Sequence, residues 1–292
     1  MDFHPTGAQM VTNPTTILDT IIAHKREEVA RKKQGTPLET LRVAAELTHP
    51  PRDFWAALQA PGVSLIAEVK KASPSKGLLC PNFDPAALAQ TYADNGAAAI
   101  SVLTDEHFFQ GSLADLRVVQ QSVAVPVLRK DFIIDLYQVY ESRIAGADAL
   151  LLIVAALDDA KLHNLYALTR HLGMAALIEV HNAEELMRAT ALRPRIIGIN
   201  NRNLQTFDVT LDTTAALRPR IFGRVTVVAE SGIHTPEDVA RLAALDVDAM
   251  LVGEALVTAE DVGARVRELL DGRPPQSGSP QPQKPATPDL PF

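Results

Sequence analysis

The sequence predicts an α/β protein, a (β/α)8 barrel of the TIM-barrel type with an N-terminal helical extension. Three observations predict it. Apolar runs of strand length alternate with amphipathic stretches of helical length from Ser64 onward, the pattern of a parallel sheet covered by helices on both faces. A short motif recurs where helices turn into strands: Asn95-Gly96-Ala97-Ala98-Ala99-Ile100, Ala145-Gly146-Ala147-Asp148-Ala149-Leu150 and Asp246-Val247-Asp248-Ala249-Met250. Polar and charged residues also stand at the C-terminal ends of nearly all the runs, where a barrel of this kind builds its active site. No Gly-x-Gly-x-x-Gly follows the first run, which removes the main support for an open dinucleotide-binding sheet.

The elements follow in order. Residues 1–14 are polar and contain proline, so disorder is expected there. Thr16-Ile17-Leu18-Asp19 has the form of a capping box, with Asp in place of Glu, and opens a helix over Ile17–Lys33. Ile17, Ile21 and Val29 share a face of that helix. Its basic cluster, Lys25-Arg26 and Arg31-Lys32-Lys33, is read as a solvated face rather than a phosphate-attracting surface. Gly35 is expected to stop it. A second helix over Leu38–Leu47 and a helical piece over Asp53–Leu58 complete an extension that spans residues 15–62.

The barrel runs are Leu65–Val69, Ala98–Leu103, Val125–Leu128, Ala149–Val154, Ala175–Ile178, Ile196–Ile199, Val225–Ala229 and Ala249–Val252. Helices are expected over Pro85–Asn95, Leu113–Gln121, Leu136–Ala145, Asp158–His171, Ala183–Leu192, Leu211–Leu217, Pro236–Leu245 and Ala259–Leu270. One barrel domain, extension included, therefore covers residues 15–271. Residues 272–292 carry seven prolines among Gln, Ser and Gly. Such a segment has too little apolar surface to offset ordering, so a disordered Pro-rich tail is expected.

Composition narrows the function. A net charge of −7 argues against broad nucleic-acid binding, so any anionic ligand must be met by locally concentrated cations. No apolar run reaches membrane-spanning length, and the N-terminus lacks the order of a signal peptide. A cytoplasmic protein with no membrane partner is expected, acting as a monomer or at most a weak homo-oligomer. The one cysteine, Cys80, has no histidine nearby and is read as a loop residue. His107, His163, His171, His181 and His234 lack the spacing of a zinc site, so no metal is expected. His171 and His181 are read as helix-end and loop residues.

The chemistry stands at the strand ends. Glu68 and Lys70 alternate onto one face of the first run, roughly 7 Å apart along the strand. The other ends read Thr104-Asp105, Arg129-Lys130-Asp131, Glu179, Asn200-Asn201-Arg202, Glu230-Ser231-Gly232 and Gly253-Glu254. Any one of these alone is compatible with a solvated strand terminus or a structural ion pair; their convergence favours an active site. Gly232, Gly253 and Glu254 lie in the loops after the seventh and eighth strands. Free backbone N–H groups there commonly cradle a phosphate. Lys130 and Lys70 face a common cavity, so mutual repulsion and burial are expected to lower their pKa values toward the range of a general acid. Glu68 and Glu179 act in the opposite sense.

Several segments carry a resemblance to the indole-3-glycerol-phosphate synthases of tryptophan biosynthesis. They are Ile66–Gly77, Ser101–Asp105, Phe108–Ser112, Val127–Phe132, Ile178–His181, Gly198–Leu204, Glu230–Ile233 and Leu251–Glu254. The resemblance covers residues 15–271 and includes the helical extension. It implies a ring-closing decarboxylation and dehydration of a phosphorylated small-molecule substrate, with no cofactor. It also implies site roles: Lys130 as general acid, Glu179 as its acid–base partner, Glu68 assisting proton transfer, Lys70 on the substrate's anions, and Asn200 among the catalytic residues. Ser73, Phe132, Arg202, Ser231 and Glu230 are implied as substrate-binding residues. Two rival readings fit the sequence less well. A phosphoribosylanthranilate isomerase would need a Cys/Asp acid–base pair, for which Cys80 is poorly placed. A catalytically silent scaffold predicts a broken position among Glu68, Lys130, Glu179 and Asn200, and all four are intact.

Overall fold

The computed structural model describes residues 16–271 apart from Gln205; the disorder expected of residues 1–14 and 272–292 falls outside them. Eight strands form a closed parallel barrel: β1 Ser64–Val69, β2 Ala99–Leu103, β3 Val127–Lys130, β4 Ala149–Ile153, β5 Ala175–Val180, β6 Ile196–Asn200, β7 Thr226–Glu230 and β8 Ala249–Val252. Each pairs with its neighbours in sequence, and β8 closes on β1 with Ser64 opposite Ala249.

The helix-to-strand motif works through its left-handed residue. Gly96 and Gly146 take positive φ after their helices, and Asp246 takes the same position in the third copy. Backbone in that region ends a helix and lets the chain reverse into the next strand.

Two apolar cores result from the strand alternation. Outward side chains such as Leu65, Val69, Val127, Ile178 and Val227 pack beneath the helices. Inward ones, including Ile66, Leu128, Leu151, Leu177, Val228 and Leu251, fill the barrel. Each such buried aliphatic side chain contributes roughly 1.5–3 kcal/mol. Phe54, on α3 (Phe54–Ala57), and Leu58 join the inner core and plug the barrel floor. The Trp55 indole N–H donates to Thr226 Oγ1 beside that plug.

Several boundaries differ from the sequence reading. The first helix, α1, runs over Ile17–Gly35, past its expected end at Lys33. Pro37 supplies the stop, because the residue before a proline is driven out of helical geometry, and Thr36 is extended. The third strand lies two residues later than expected, at Val127–Lys130. In β3, β5, β6 and β7 the terminal polar residue is part of the strand, since closure of the barrel satisfies its backbone. The helix expected at Ala259–Leu270 begins at Val262, after a separate short turn of helix over Glu254–Val257. The loop after β1 is a small hairpin, Ala72–Ser73 against Gly77–Leu78.

Candidate active site

Strand parity places the site. The inward residue after Ile66 is Glu68, the one after Leu128 is Lys130, and the one after Leu177 is Glu179. Asn200 and Glu230, which lie opposite each other in register, follow in the same layer on β6 and β7. A ring of charge therefore rests on an apolar floor at the C-terminal end of the barrel. Above it opens a cavity of about 390 Å³. All the site residues named from the sequence line that one cavity: Glu68, Lys70, Ser73, Lys130, Phe132, Glu179, Asn200, Arg202, Glu230, Ser231, Gly232, Gly253 and Glu254.

Lys130 is the hub. Its Nζ lies 3.3 Å from Glu179 Oε2 and 3.5 Å from Glu230 Oε2, with both carboxylates almost fully buried. Burial works against the ammonium, but Glu179, Glu230 and Glu68 together outweigh it and raise the pKa. This corrects the expectation that Lys130 is tuned down toward neutrality: the carboxylates around it were undercounted. Lys70 is paired as well, 2.9 Å from Glu68 Oε1.

The two acids beside Lys130 are driven apart. Burial would raise Glu179, yet Lys130, the His181 ring and the Asn200 amide hold it well below the usual carboxylate range. Glu230 is pushed up by burial and then by the charge of Glu179, against the pull of Lys130. Among the described residues, neither Glu230 oxygen has a hydrogen-bond partner. Protonating Glu230 satisfies one of them, because the new O–H can donate to the Glu179 carboxylate. Gly198 makes room for this acid: a Cβ there would stand 2.2 Å from Glu230 Oε1.

The loops after β7 and β8 do different work. Ser231 and Gly232 are both left-handed, with φ of 65° and 76°. Buried Asn201 braces the turn, its amide donating to the Glu230 and Ser231 carbonyls while its oxygen accepts from Thr214. Gly253 instead faces the charged layer, where an added Cβ would sit 2.3 Å from Glu68 Oε1 and 3.1 Å from Lys70 Nζ. Glu254 opens the short helix that follows and pairs with Lys76 of the β1 hairpin loop.

The wall of the cavity is apolar and partly supplied by the extension. Ile17, Leu18 and Ile21 of α1 reach it, as do Phe109, Leu204 and Phe207. Phe109 and Phe132 have ring centroids 6.2 Å apart. A layer of fixed charges beneath an aromatic wall suits a ligand with one flat apolar part and several oxygen-bearing groups. Among the described residues, no group of three or more His, Cys, Asp or Glu is arranged to hold a metal ion.

A family model described as Indole-3-glycerol phosphate synthase matches residues 18–269. The chain belongs to the indole-3-glycerol phosphate synthase family. An indole-3-glycerol phosphate synthase of Roseiflexus castenholzii is 57% identical over 264 residues, covering 87% of this chain and 98% of the relative. One of Polaromonas sp. is 53% identical over 257 residues, covering 87% and 97%. Among solved structures, thiamine phosphate pyrophosphorylase from Pyrococcus furiosus shares the barrel fold, with a TM-score of 0.55 at 16% identity, covering 72% of this chain and 95% of that one.

Within this synthase-family barrel, two residues escaped the sequence reading. The sequence reads Lys25 as part of a solvated helix face, but it is fully buried and holds Glu28, Asp105 and Asp131 at 2.7–3.0 Å. His181 stands in the loop after β5, as the sequence indicates, but the sequence gives no sign that its Nε2 lies 3.2 Å from Glu179 Oε1. A signal for Lys25 existed: its spacing of four from Ile21 and from Val29 puts it on the buried face of α1.

Proposed function

We propose that this cavity carries out its family's reaction with Lys130 as the general acid. That reaction converts 1-(2-carboxyphenylamino)-1-deoxyribulose 5-phosphate to indole-3-glycerol phosphate, carbon dioxide and water. A bond forms between the ring carbon that bears the carboxylate and the ketone carbon. Carbon dioxide leaves from the former, and the hydroxyl created at the latter departs as water.

The observation that carries the reading is Lys130 itself: a charged ammonium on the last residue of β3, held between two buried carboxyls beneath an apolar wall. A raised pKa keeps Lys130 charged at neutral pH. It can still protonate the ketone oxygen, because an alkoxide forming in the transition state is far more basic than an amine. Donors already aimed at developing charge need no reorganisation when it appears. Glu179, ionised beside Lys130, accepts the proton lost as the new ring gains its double bond. Glu68 holds Lys70, which meets the substrate's anionic groups and can assist departure of the hydroxyl. Asn200, Arg202 and Ser231 orient the sugar and the aromatic carboxylate, with Ser73 and Phe132 at the mouth. Glu230 serves as a proton store beside Glu179.

The phosphate belongs at the strained Ser231–Gly232 turn and the Gly253–Glu254 loop. Two left-handed residues in succession leave backbone N–H groups free to point at an anion. On this reading the chain works in the cytoplasm as a monomer or at most a weak homo-oligomer. Among the described residues, no helix is long and apolar enough to cross a membrane. A solution assay with the synthetic substrate, followed by indole fluorescence, tests the proposal. Turnover that Glu179→Gln abolishes is expected; no turnover by well-folded wild-type protein would overturn it.

A further inference from the structure

His181 immediately follows β5 and lies between two carboxylates. Its Nδ1 is hydrogen-bonded to Glu185 Oε2 at 2.9 Å, and its Nε2 is 3.2 Å from Glu179 Oε1, an ion-pair distance without hydrogen-bond alignment. The ring is only 8% exposed. Glu185 is itself held in place. It accepts the His181 backbone N–H at 2.8 Å and the Asn182 side-chain amide at 2.7 Å, from the first turn of α9 (Ala183–Ala191). Both faces of this clamp are acidic, so a neutral ring would point a lone pair at one carboxylate. Only the cation sets a positive charge against both. Burial opposes that charge, yet the two glutamates outweigh it and raise the ring's pKa to about 10.

The position matters because Glu179 and Glu230 compete for a single ammonium, Lys130. Lys130 alone would not distinguish them: both are buried and both lie within 3.5 Å of it. Of these two carboxylates, His181 pairs only with Glu179 among the described residues. We propose that His181 is a positioning residue for the reaction: braced by Glu185, its cationic ring keeps Glu179 ionised and turned toward Lys130, and so leaves the proton of the carboxyl pair on Glu230. The charged groups that face this pair are Lys130 on β3, His181 after β5 and, beyond Lys130, Glu68 on β1; Glu185 on α9 faces the far side of the ring. The inference rests on the reading of Glu179 as the reaction's base.

The bland alternative is that His181 only fastens the start of α9. Asn182 already caps that helix through the Glu185 N–H, so fastening has a second provider. The test is the pH dependence of kcat and KM for His181→Gln and Glu185→Gln, with thermal melts on the same preparations. His181→Gln should move the acidic limb of kcat upward by a pH unit or more, which lowers kcat about tenfold on that limb. Activity should recover toward wild type at higher pH, with KM changed little. Glu185→Gln keeps an acceptor for the ring but loses the charge, so a smaller shift in the same direction is expected. A His181→Gln profile that overlays wild type, whatever its melting temperature, would overturn the proposal. Glu179→Gln in the same series separates the two readings: if it retains normal turnover, the base assignment fails and not merely the role of His181.

Discussion

Lys25 and Asp131 form an ion pair of 3.0 Å in which neither side chain is exposed, so the first helix of the chain is tied to the residue that follows Lys130. Asp131 also receives Arg129 at 2.8 Å and the Thr104 hydroxyl at 2.6 Å. Burial would raise this carboxyl, but Arg129 and Lys25 hold it well below the usual range. The extension is thus part of the frame that carries Lys130, and its apolar residues form part of the cavity wall.

Lys25→Met should therefore cost about 3 kcal/mol or more, the scale for removing one partner of a buried ion pair. Because Ile17, Leu18 and Ile21 ride on the same helix and line the cavity, KM should rise too. Urea unfolding and steady-state kinetics on one preparation read both effects. Wild-type stability in this variant would show that the buried network carries no net stabilisation.

The two loop glycines should respond differently. At Gly232 a side chain would sit 2.6 Å from Val209 Cγ1 and require a left-handed φ of 76°. Gly232→Val should weaken competitive inhibition by inorganic phosphate, with kcat less affected. At Gly253 the intruding atom meets Glu68 and Lys70 instead, so Gly253→Ala should depress kcat first. Inhibition constants for phosphate in both variants decide the matter; an unchanged constant in Gly232→Val would move the anion site elsewhere.

Above the ordinary carboxylate range, stability should fall as pH rises, for a specific reason. Glu230 is raised from 4.5 to about 8, so the folded protein keeps a proton that the unfolded chain releases. Its contribution is complete below the unfolded value and is lost as pH climbs through about 8. The slope is up to about 1.4 kcal/mol per pH unit. His181 acts with the same sign in a later window, from 6.5 to about 10. Urea midpoints across pH should show Glu230→Gln flattening the earlier part of the decline. A variant curve parallel to wild type throughout would refute the raised Glu230.

The barrel was legible because its two periodicities are local. Apolar runs mark strands, and strand parity then carries Glu68, Lys130 and Glu179 to one face without further information. What stayed hidden depends on distant partners. Lys25 reads as one more charge in a basic helix until Asp105 and Asp131 are brought beneath it by other strands. His181 reads as a loop residue until α9 folds Glu185 back onto its ring. The charge state of Lys130 was misjudged for the same reason: Glu230 is a hundred residues away in sequence and 3.5 Å away in space. Gly253 was legible as a loop glycine, but the side chains its missing Cβ leaves room for were not.

The central claim is that Lys130 donates a proton in the transition state, and steady-state kinetics of Lys130→Met beside Lys70→Met test it most directly. Interactions made only in the transition state appear in kcat, whereas uniform binding appears in KM. Lys130→Met should lower kcat by about 10² or more with KM nearly unchanged, the usual scale for a lost general acid. Lys70→Met should raise KM clearly, with a kcat loss of its own if it assists the departing hydroxyl. A Lys130→Met protein that melts cooperatively and keeps near-normal kcat would contradict the account.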